Sequence, residues 1–389
     1  MAMADLIFYG GTIHSMDESL PNPEAVAILG DKIVAVGDKE MITNKFCGRN
    51  TTVVELNAGQ TLMPGFIETH SHPVAAALSS LVYKSCSAYD YKTKEQVHNL
   101  FVETVAKIEP GTGHWCIFFG WDPEMIRDLP TLNFDVLDGY STETPIFVVA
   151  QNSHAAWANR KAFAIGGIDE DTEDPTGGKY VRDEDGKLTG QMLESVSFRP
   201  IVKHATPIPT PAQIKESIGK QWMEYSKAGF TTVCDLAYMQ SDDVDEMLEE
   251  MSSRDDCAIR LGLYTRDDAS QEKGGCCDVV PREGHHTSDR NLRENEKLWI
   301  AGVKIFCDGT PHCGTAATHE DYLVNDLTEA LGFPEPPNKG LLKFEGEEEE
   351  KLRESIVNYH REGTQIALHA HGERAIEQVL DAIENVSTN

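Results

Sequence analysis

The spacing of His70 and His72 allows two imidazoles to bind one metal ion. His70 and His72 follow one strand-like stretch, and His369 and His371 follow another. Side chains at positions i and i+2 of a strand share a face, about 7 Å apart along an extended chain. Neutral imidazole binds zinc well, and zinc with an open position lowers the pKa of bound water toward 7. Two surface or capping histidines would give the same pattern, so the surrounding sequence must decide.

Strands and helices alternate around these histidines from about residue 210 onward. Thr210-Pro-Ala-Gln213 predicts a helix start with a capping box. Apolar residues at helical spacing and short β-like runs then predict strands near 231–235, 258–264, 302–306 and 365–369, and helices near 352–359 and 376–383. Such alternation predicts a parallel sheet, open or closed into a barrel, with functional residues at the C-terminal strand ends. Both histidine pairs, and Lys304, occupy such positions.

The remaining chain divides into two further regions. Residues 1–61 contain short strands and tight turns, which predict a small all-β layer, the N-terminal portion of a β-sandwich. Residues 76–205 carry their own helices and strands, with a hairpin turn at Arg182-Asp-Glu-Asp-Gly186, and are interpreted as an α+β insertion. The barrel domain then comprises residues 62–75 and 206–389.

Composition limits the partners and the compartment. The 64 acidic residues exceed the 34 basic ones by 30 in a chain of 389, which disfavours nucleic acid and anionic membranes as partners. The chain has no run of 18 apolar residues and no basic, apolar leader at its N-terminus. Nine cysteines without regular spacing are interpreted as reduced thiols. These features predict a soluble cytoplasmic protein.

The stretch Leu62-Met-Pro-Gly-Phe-Ile-Glu-Thr-His-Ser-His72 resembles the first barrel strand of the amidohydrolase superfamily. The resemblance extends through nearly the whole chain and is closest to the amidohydrolase 3, YtcJ-like branch. Further matching motifs occur in the family order: Gly120-Trp-Asp122, Pro130-Thr131 with Leu137-Asp138, Asn152 to Asn159, Asp174 to Gly178, Asp185 to Gly190, Val303 to Gly309 and His369 to Ile376.

The resemblance implies a metal centre with one or two divalent ions, zinc being expected. His70 and His72 would bind the first ion. Lys304, on the fourth barrel strand, matches the family lysine that can be carbamylated to bridge two metals. A bare ammonium cannot bind a cation, and the alternative is that Lys304 pairs with Asp308 or with a substrate carboxylate. His369 is the preferred second-site ligand.

Catalytic roles are expected for three residues of this region: Lys304, Asp308 and His371. His371 would lie behind the ligands or contact the substrate, and the order of His369 and His371 could be the reverse. Trp121, Asp122, His154 and Trp157 match the motifs of the inserted region and are candidates for substrate binding. Alternatively, Ser153 caps a helix and His154 and Trp157 pack beside it.

Another cluster, Cys276-Cys277 with His285-His286, has the residue types of a zinc site. Adjacent cysteines point apart and the spacing matches no standard finger, so a polar loop is the favoured interpretation.

The implied activity is metal-dependent hydrolysis of non-peptide, amide-type C–N bonds in a small molecule such as an N-formyl or cyclic amide. The implied fold is an α/β (β/α)8 TIM-barrel type that is incomplete, with strands 1–5. The sixth-strand histidine and the eighth-strand aspartate of complete relatives have no counterpart here. We therefore keep two alternatives: a truncated, inactive paralogue with a binding or regulatory role, or half of a split enzyme that a C-terminal fragment completes. As partners we expect either such a fragment or further copies of this chain in a homo-oligomer.

Overall fold

The computed structural model describes residues 2–387 except 110, 176–177, 206–208, 268–291, 326–327, 329–330, 332, 334–335 and 347. The chain forms two compact units, Met1–Ile67 and Glu68–Asn389. The units meet at 67/68, whereas the domain boundary predicted from the sequence is 61/62. Every helix among the residues described is too short or too polar to span a lipid bilayer.

The first unit contains a four-stranded sheet and one helix. Its strands are β1 (Leu6–Ile13), β2 (Ala25–Leu29), β3 (Lys32–Gly37) and β4 (Thr52–Leu62), in the order β3-β2-β1-β4. Helix α1 (Lys39–Phe46) buries Ile42 and Phe46 against Ile7 of β1. The sequence predicted only strands here, so α1 is a correction. Its physical basis is Asp38, whose side chain caps the helix by accepting a hydrogen bond from the Met41 amide at 2.8 Å.

The inserted region of the second unit contains a mixed six-stranded sheet. Its strands are β6 (Lys84–Ser85), β7 (Cys116–Trp121), β8 (Ile146–Ala150), β9 (Ala155–Ala158), β10 (Lys179–Arg182) and β11 (Leu188–Leu193), in the order β10-β11-β9-β8-β7-β6. Helices α3 (Lys94–Ala106), α4 (Phe134–Asp138), α5 (Arg160–Gly166) and α6 (Ser195–Val202) accompany it. All five residues of β8 are buried because hydrophobic clusters cover both faces of the sheet.

The predicted hairpin turn is present between β10 and β11. The Asp183 amide donates to the Lys187 carbonyl at 2.8 Å, and Gly186 adopts a φ of +79°. A residue with a side chain is strained in that conformation, which explains the glycine.

The part of the unit that was predicted to be the barrel domain contains a five-stranded sheet, here called the barrel sheet. Its strands are β5 (Phe66–Ser71), β12 (Phe230–Tyr238), β13 (Arg260–Arg266), β14 (Leu298–Phe306) and β15 (Ile366–His369), in the order β15-β14-β13-β12-β5. Strands β12 to β15 pair in parallel, which agrees with the predicted alternation of strands and helices. The helices are α2 (Pro73–Val82), α7 (Pro211–Lys227), α8 (Asp242–Ser252), α9 (Glu348–Arg361) and α10 (Glu373–Ser387). The result is a mixed α/β fold with a parallel sheet consistent with half a barrel.

Helix α2 continues past the predicted start of the insertion at residue 76. Its Ala77 and Leu78 pack in one hydrophobic cluster with Ile218 and Trp222 of α7. The whole of α2 therefore packs with the barrel helices, and the first strand of the inserted sheet is β6. Helix α7 begins at the predicted capping box formed by Thr210 and Gln213.

Candidate metal centre and adjoining cavity

The first candidate ligand group lies where β5 ends. The ring centroids of His70 and His72 are 6.0 Å apart, close to the expected spacing. His72 Nδ1 is 3.9 Å from Oδ1 of Asp235, a buried residue of β12 that sequence reasoning missed. The second oxygen of Asp235 accepts a hydrogen bond from the Val74 amide at 3.1 Å, which fixes the carboxylate beside His72. Two imidazoles and a carboxylate are a donor set that suits zinc.

The second candidate group follows β14 and β15. Lys304 of β14 is only 2% exposed, and its Nζ lies 5.3 Å from the centroid of the Phe306 ring. Nε2 of His369 lies 2.9 Å from the Gly309 carbonyl oxygen. If Nε2 donates there, Nδ1 is the nitrogen that could bind a metal, since ligating histidines usually donate their other N–H to such a carbonyl.

Electrostatics favour the neutral form of His369. Burial lowers the pKa of His369 to about 4, and the neighbouring His371 and Lys304 disfavour the charged imidazole further. A neutral ring is the form that binds metal. The His369 and His371 ring centroids are 4.5 Å apart.

Asp308 is held by backbone amides. It is 1% exposed and accepts hydrogen bonds from the amides of His371 at 3.0 Å, Ala317 at 3.0 Å and Gly372 at 2.7 Å. These bonds join the segment after β14 to the segment after β15. In this arrangement Asp308 positions the backbone of His371.

The two candidate ligand groups stand at opposite edges of the sheet. Strands β5 and β15 are separated by four strand spacings, about 19 Å along the sheet, and only curvature of the sheet brings its edges closer. In the described ranges, the ligand atoms of His70, His72 and His369 do not all lie within 4.8 Å of one another, and neither do those of His70, His72 and Asp235. Each histidine pair is therefore compact by itself, but the three ligands do not form a single tight cluster.

A cavity of about 640 Å³ lies beside the second group. Its walls combine the inserted sheet with the segments after β14 and β15. All four predicted substrate residues line it, together with His371: Trp121, Asp122, His154 and Trp157. The structure thus brings together residues that lie up to 250 positions apart in sequence. Asp122 also anchors the turn after β7, because its Oδ1 accepts hydrogen bonds from the Glu124 and Met125 amides.

The alternative interpretation of Ser153 as a helix cap is wrong. Ser153 has a φ of +64° and lies in the tight turn between β8 and β9, and Trp157 belongs to β9. His154 instead faces a buried carboxylate. Its Nδ1 is 3.1 Å from Oε2 of Glu194, and the two side chains are 8% and 1% exposed.

Glu194 is a residue that sequence reasoning missed. It directly precedes α6 with a φ of +63° and accepts a hydrogen bond from the Thr315 hydroxyl at 2.6 Å. Burial alone would raise the pKa of Glu194, but His154, Lys343 and the Thr315 hydroxyl outweigh it and hold the pKa below its usual value. These contacts favour the ionised form of the carboxylate although it is buried.

One cysteine contributes to a candidate metal group in the part of the chain that the structure covers: the ligand atoms of His154, Glu194 and Cys313 all lie within 4.8 Å of one another. The seven described cysteines are all free thiols. The cluster Cys276-Cys277 with His285-His286 lies outside the described residues.

Comparison with known proteins places this architecture in a family. The sequence profile of the amidohydrolase family matches residues 54–389. The chain is 26% identical to Protein LONG AFTER FAR-RED 3 of Arabidopsis thaliana, over 99% of this chain and 62% of that protein. It is 24% identical to the putative amidohydrolase YtcJ of Bacillus subtilis, over 97% and 65% of the two chains. It is 28% identical to an N-substituted formamide deformylase of Arthrobacter pascens, over 99% and 66%.

The chain thus spans less than two thirds of the length of the first two relatives. Two crystal structures of uncharacterized metal-dependent hydrolases share the fold. Those from Pyrococcus furiosus and Pyrococcus horikoshii have TM-scores of 0.62 and 0.63, each at 21% identity over 98% of this chain, and the match covers 70% and 68% of their own lengths. The match to the family profile covers most of the sequence, and the chain therefore belongs to the amidohydrolase family, in its YtcJ-like branch.

Proposed function

We propose that this chain hydrolyses a non-peptide C–N bond of a small amide, bound in the 640 Å³ cavity. The observation that carries the proposal is the position of His371. It extends from the C-terminal end of a barrel strand, where this architecture holds its chemistry, into a cavity lined by Trp121, His154 and Trp157. A strand-end imidazole and an aromatic pocket for a small molecule thus adjoin one another.

The metal would be held by residues at the strand ends. His70 and His72, with the Asp235 carboxylate beside them, fit a zinc ion by donor type, and His369 with a carbamylated Lys304 would hold a second ion. A divalent ion bound there would polarise the carbonyl group of the substrate and lower the pKa of a water molecule. Asp308 fixes the backbone of His371, so that its ring can contact the substrate. Trp121 and Trp157 would exclude water from the bound amide.

For the substrate, N-substituted formamides are the first candidates. One relative carries that activity in its name, and a formamide with an apolar substituent matches a cavity lined by two tryptophans. Cyclic amides are the second candidate class.

Metal content tests the first half of the proposal. The full chain is incubated with zinc, freed of excess ion and analysed by mass spectrometry. We expect bound zinc to fall by about one equivalent in the double variant His70→Asn/His72→Asn, because it lacks two imidazole ligands. His114→Asn is the matched control, since His114 is exposed and its Nδ1 contacts Thr112. Equal zinc content in all three proteins would refute the assignment of His70 and His72.

Turnover tests the second half. The zinc-loaded chain is assayed for formate release from a panel of N-substituted formamides. The same double variant should lose activity, whereas His114→Asn should keep it. Bound zinc without any hydrolysis of formamides or cyclic amides would overturn the proposed reaction.

A specific observation favours a second candidate, an inactive relative that binds a small molecule. The two ligand groups lie at opposite edges of the sheet, whereas the cavity is fully formed from described residues near one edge. This candidate predicts ligand binding that zinc addition or removal leaves unchanged.

A further inference from the structure

His154 is part of the cavity wall, and its buried partner Glu194 has no role in the proposed function. His154 lines the cavity, whereas Glu194 does not. The Nδ1 edge of the imidazole points at the carboxylate, with 3.2 and 3.1 Å to its two oxygens. Nε2 lies on the opposite edge of the ring. Because Glu194 is behind the wall, the Nε2 edge is the one directed toward the cavity.

The surroundings of Glu194 consist of hydrogen-bond donors. Thr315 donates its hydroxyl, and the Cys313 thiol lies 3.9 Å from the same carboxylate oxygen. His154, Glu194 and Cys313 have side-chain atoms close enough to suggest a metal site. However, burial raises the pKa of the Cys313 thiol well above its usual value, which keeps it protonated. Without a metal ion the protonated thiol is a weak donor, so we interpret the cluster as a carboxylate surrounded by donors.

An ionised carboxylate at this distance favours the charged form of the imidazole. Removing Glu194 from water is unfavourable unless positive charge and donors compensate it. His154, 3.1 Å away, and Lys343, which also lowers the pKa of Glu194, are the groups that can carry this charge. As an imidazolium, His154 would have N–H groups on both edges, one for Glu194 and one for the cavity.

The segment of residues 308–315 contacts side chains on both sides of the cavity. Thr315 binds Glu194, and its hydroxyl also accepts the Thr310 amide at 2.9 Å. The Gly309 carbonyl contacts the rings of both His369 and His371. Residues 308–315 therefore hold His154 and His371 in one rigid frame around the cavity.

We propose that His154 donates a hydrogen bond from Nε2 to a carbonyl or carboxylate oxygen of the substrate, and that Glu194 is the positioning residue that orients it. Trp121 and Trp157 then receive the apolar part of the same molecule. The inference depends on the proposed function in one respect: it takes the bound molecule to be the substrate. Binding itself requires neither metal nor turnover.

Calorimetric titration of the full chain with three small probes tests whether the cavity binds an oxygen acceptor. Benzamide and benzoate offer the oxygen acceptor, and benzylamine offers a cation of similar shape. We expect benzamide and benzoate to bind at least about tenfold more tightly than benzylamine, as for a hydrogen bond to a charged donor. Equal or tighter binding of benzylamine would overturn the proposal without any variant.

His154→Gln should weaken benzamide binding about tenfold and reduce the preference over benzylamine. Gln can still donate to Glu194 but lacks the imidazole edge that faces the cavity. His98→Gln is the matched control, because His98 also bonds through Nδ1, to the Tyr140 hydroxyl, but does not line the cavity. Unchanged binding in a folded His154→Gln protein would contradict the proposal.

Nitrogen NMR tests the positioning role separately. At pH 7 we expect both ring nitrogens of His154 to be protonated, with the signal assigned from its loss in His154→Gln. In Glu194→Gln the charge partner is absent, so one nitrogen should lose its proton while circular dichroism stays unchanged. A neutral His154 in the unmodified chain would refute the role of Glu194. If the binding and NMR results were as expected but no formamide was hydrolysed, only the proposed reaction would be refuted.

Discussion

At the scale of single residues, the connection between Asp308 and Gly372 determines the geometry near His371. The Gly372 amide donates to Oδ2 of Asp308 at 2.7 Å, and the Ala317 amide donates to the same oxygen at 3.0 Å. This common acceptor draws the two backbone segments together. A Cβ atom at Gly372 would lie 2.0 Å from the Ala317 carbonyl oxygen, so the close approach requires glycine.

Gly372→Ala should therefore destabilise the chain and disturb the cavity. The added methyl group meets backbone, which cannot move aside like a flexible side chain, and we expect a loss of about 2 kcal/mol of unfolding free energy. Urea unfolding measures this loss. Gly59→Ala is the matched control, since a Cβ there meets nothing within 4 Å. Equal unfolding midpoints for the two variants would show that the segments are not in such close contact.

Glu194 illustrates which site residues the sequence could not reveal. Its partners His154 and Thr315 are 40 and 121 residues away, and nothing in the spacing of these residues predicts contact. His154 was found through its motif, and His70 and His72 through their own spacing. Asp235 was missed for the same reason as Glu194, because its approach to His72 depends on the pairing order of the sheet.

At the scale of elements, local signals decided what could be predicted. Helix α7 has a complete capping box: the Thr210 amide donates to Gln213 Oε1 at 2.9 Å, and the Gln213 amide donates to Thr210 Oγ1 at 3.4 Å. The strands of the barrel sheet were visible as apolar runs between turns. Helix α1 has eight residues and a single Asp cap, a signal too short to separate it from a turn.

Thr210→Ala should lower the unfolding free energy by about 1 kcal/mol, because the first turn of α7 loses the acceptor for the Gln213 amide. Thr210→Ser retains the hydroxyl and serves as the control, with a change of no more than a few tenths of a kcal/mol expected. Thermal and urea unfolding of both variants provide the comparison. If alanine and serine were equivalent, the capping bond would contribute nothing to stability.

At the scale of the whole molecule, the alternation of strands and helices predicted the α/β class, and the family match agrees with it. The sequence also predicted an inserted region, and the structure gives it a sheet of its own. The order of strands in both sheets was beyond prediction, because it depends on pairing between segments that are distant in the chain. The cavity depends on that order, since its walls come from the inserted sheet and from the ends of barrel strands.

Net charge leads to a prediction for the molecule as a whole. An excess of 30 negative charges repels itself within a compact protein, which lowers the stability of the folded state. Salt screens this repulsion, since the Debye length falls from about 30 Å at 0.01 M to about 10 Å at 0.1 M ionic strength. The melting temperature should therefore rise as NaCl increases over this range. KCl should have the same effect at equal ionic strength, whereas sucrose at equal osmolality should not reproduce the steep rise at low concentration. A melting temperature that fell with salt would mean that attractive surface ion pairs, such as Arg160 with Asp135, outweigh the repulsion between the acidic side chains.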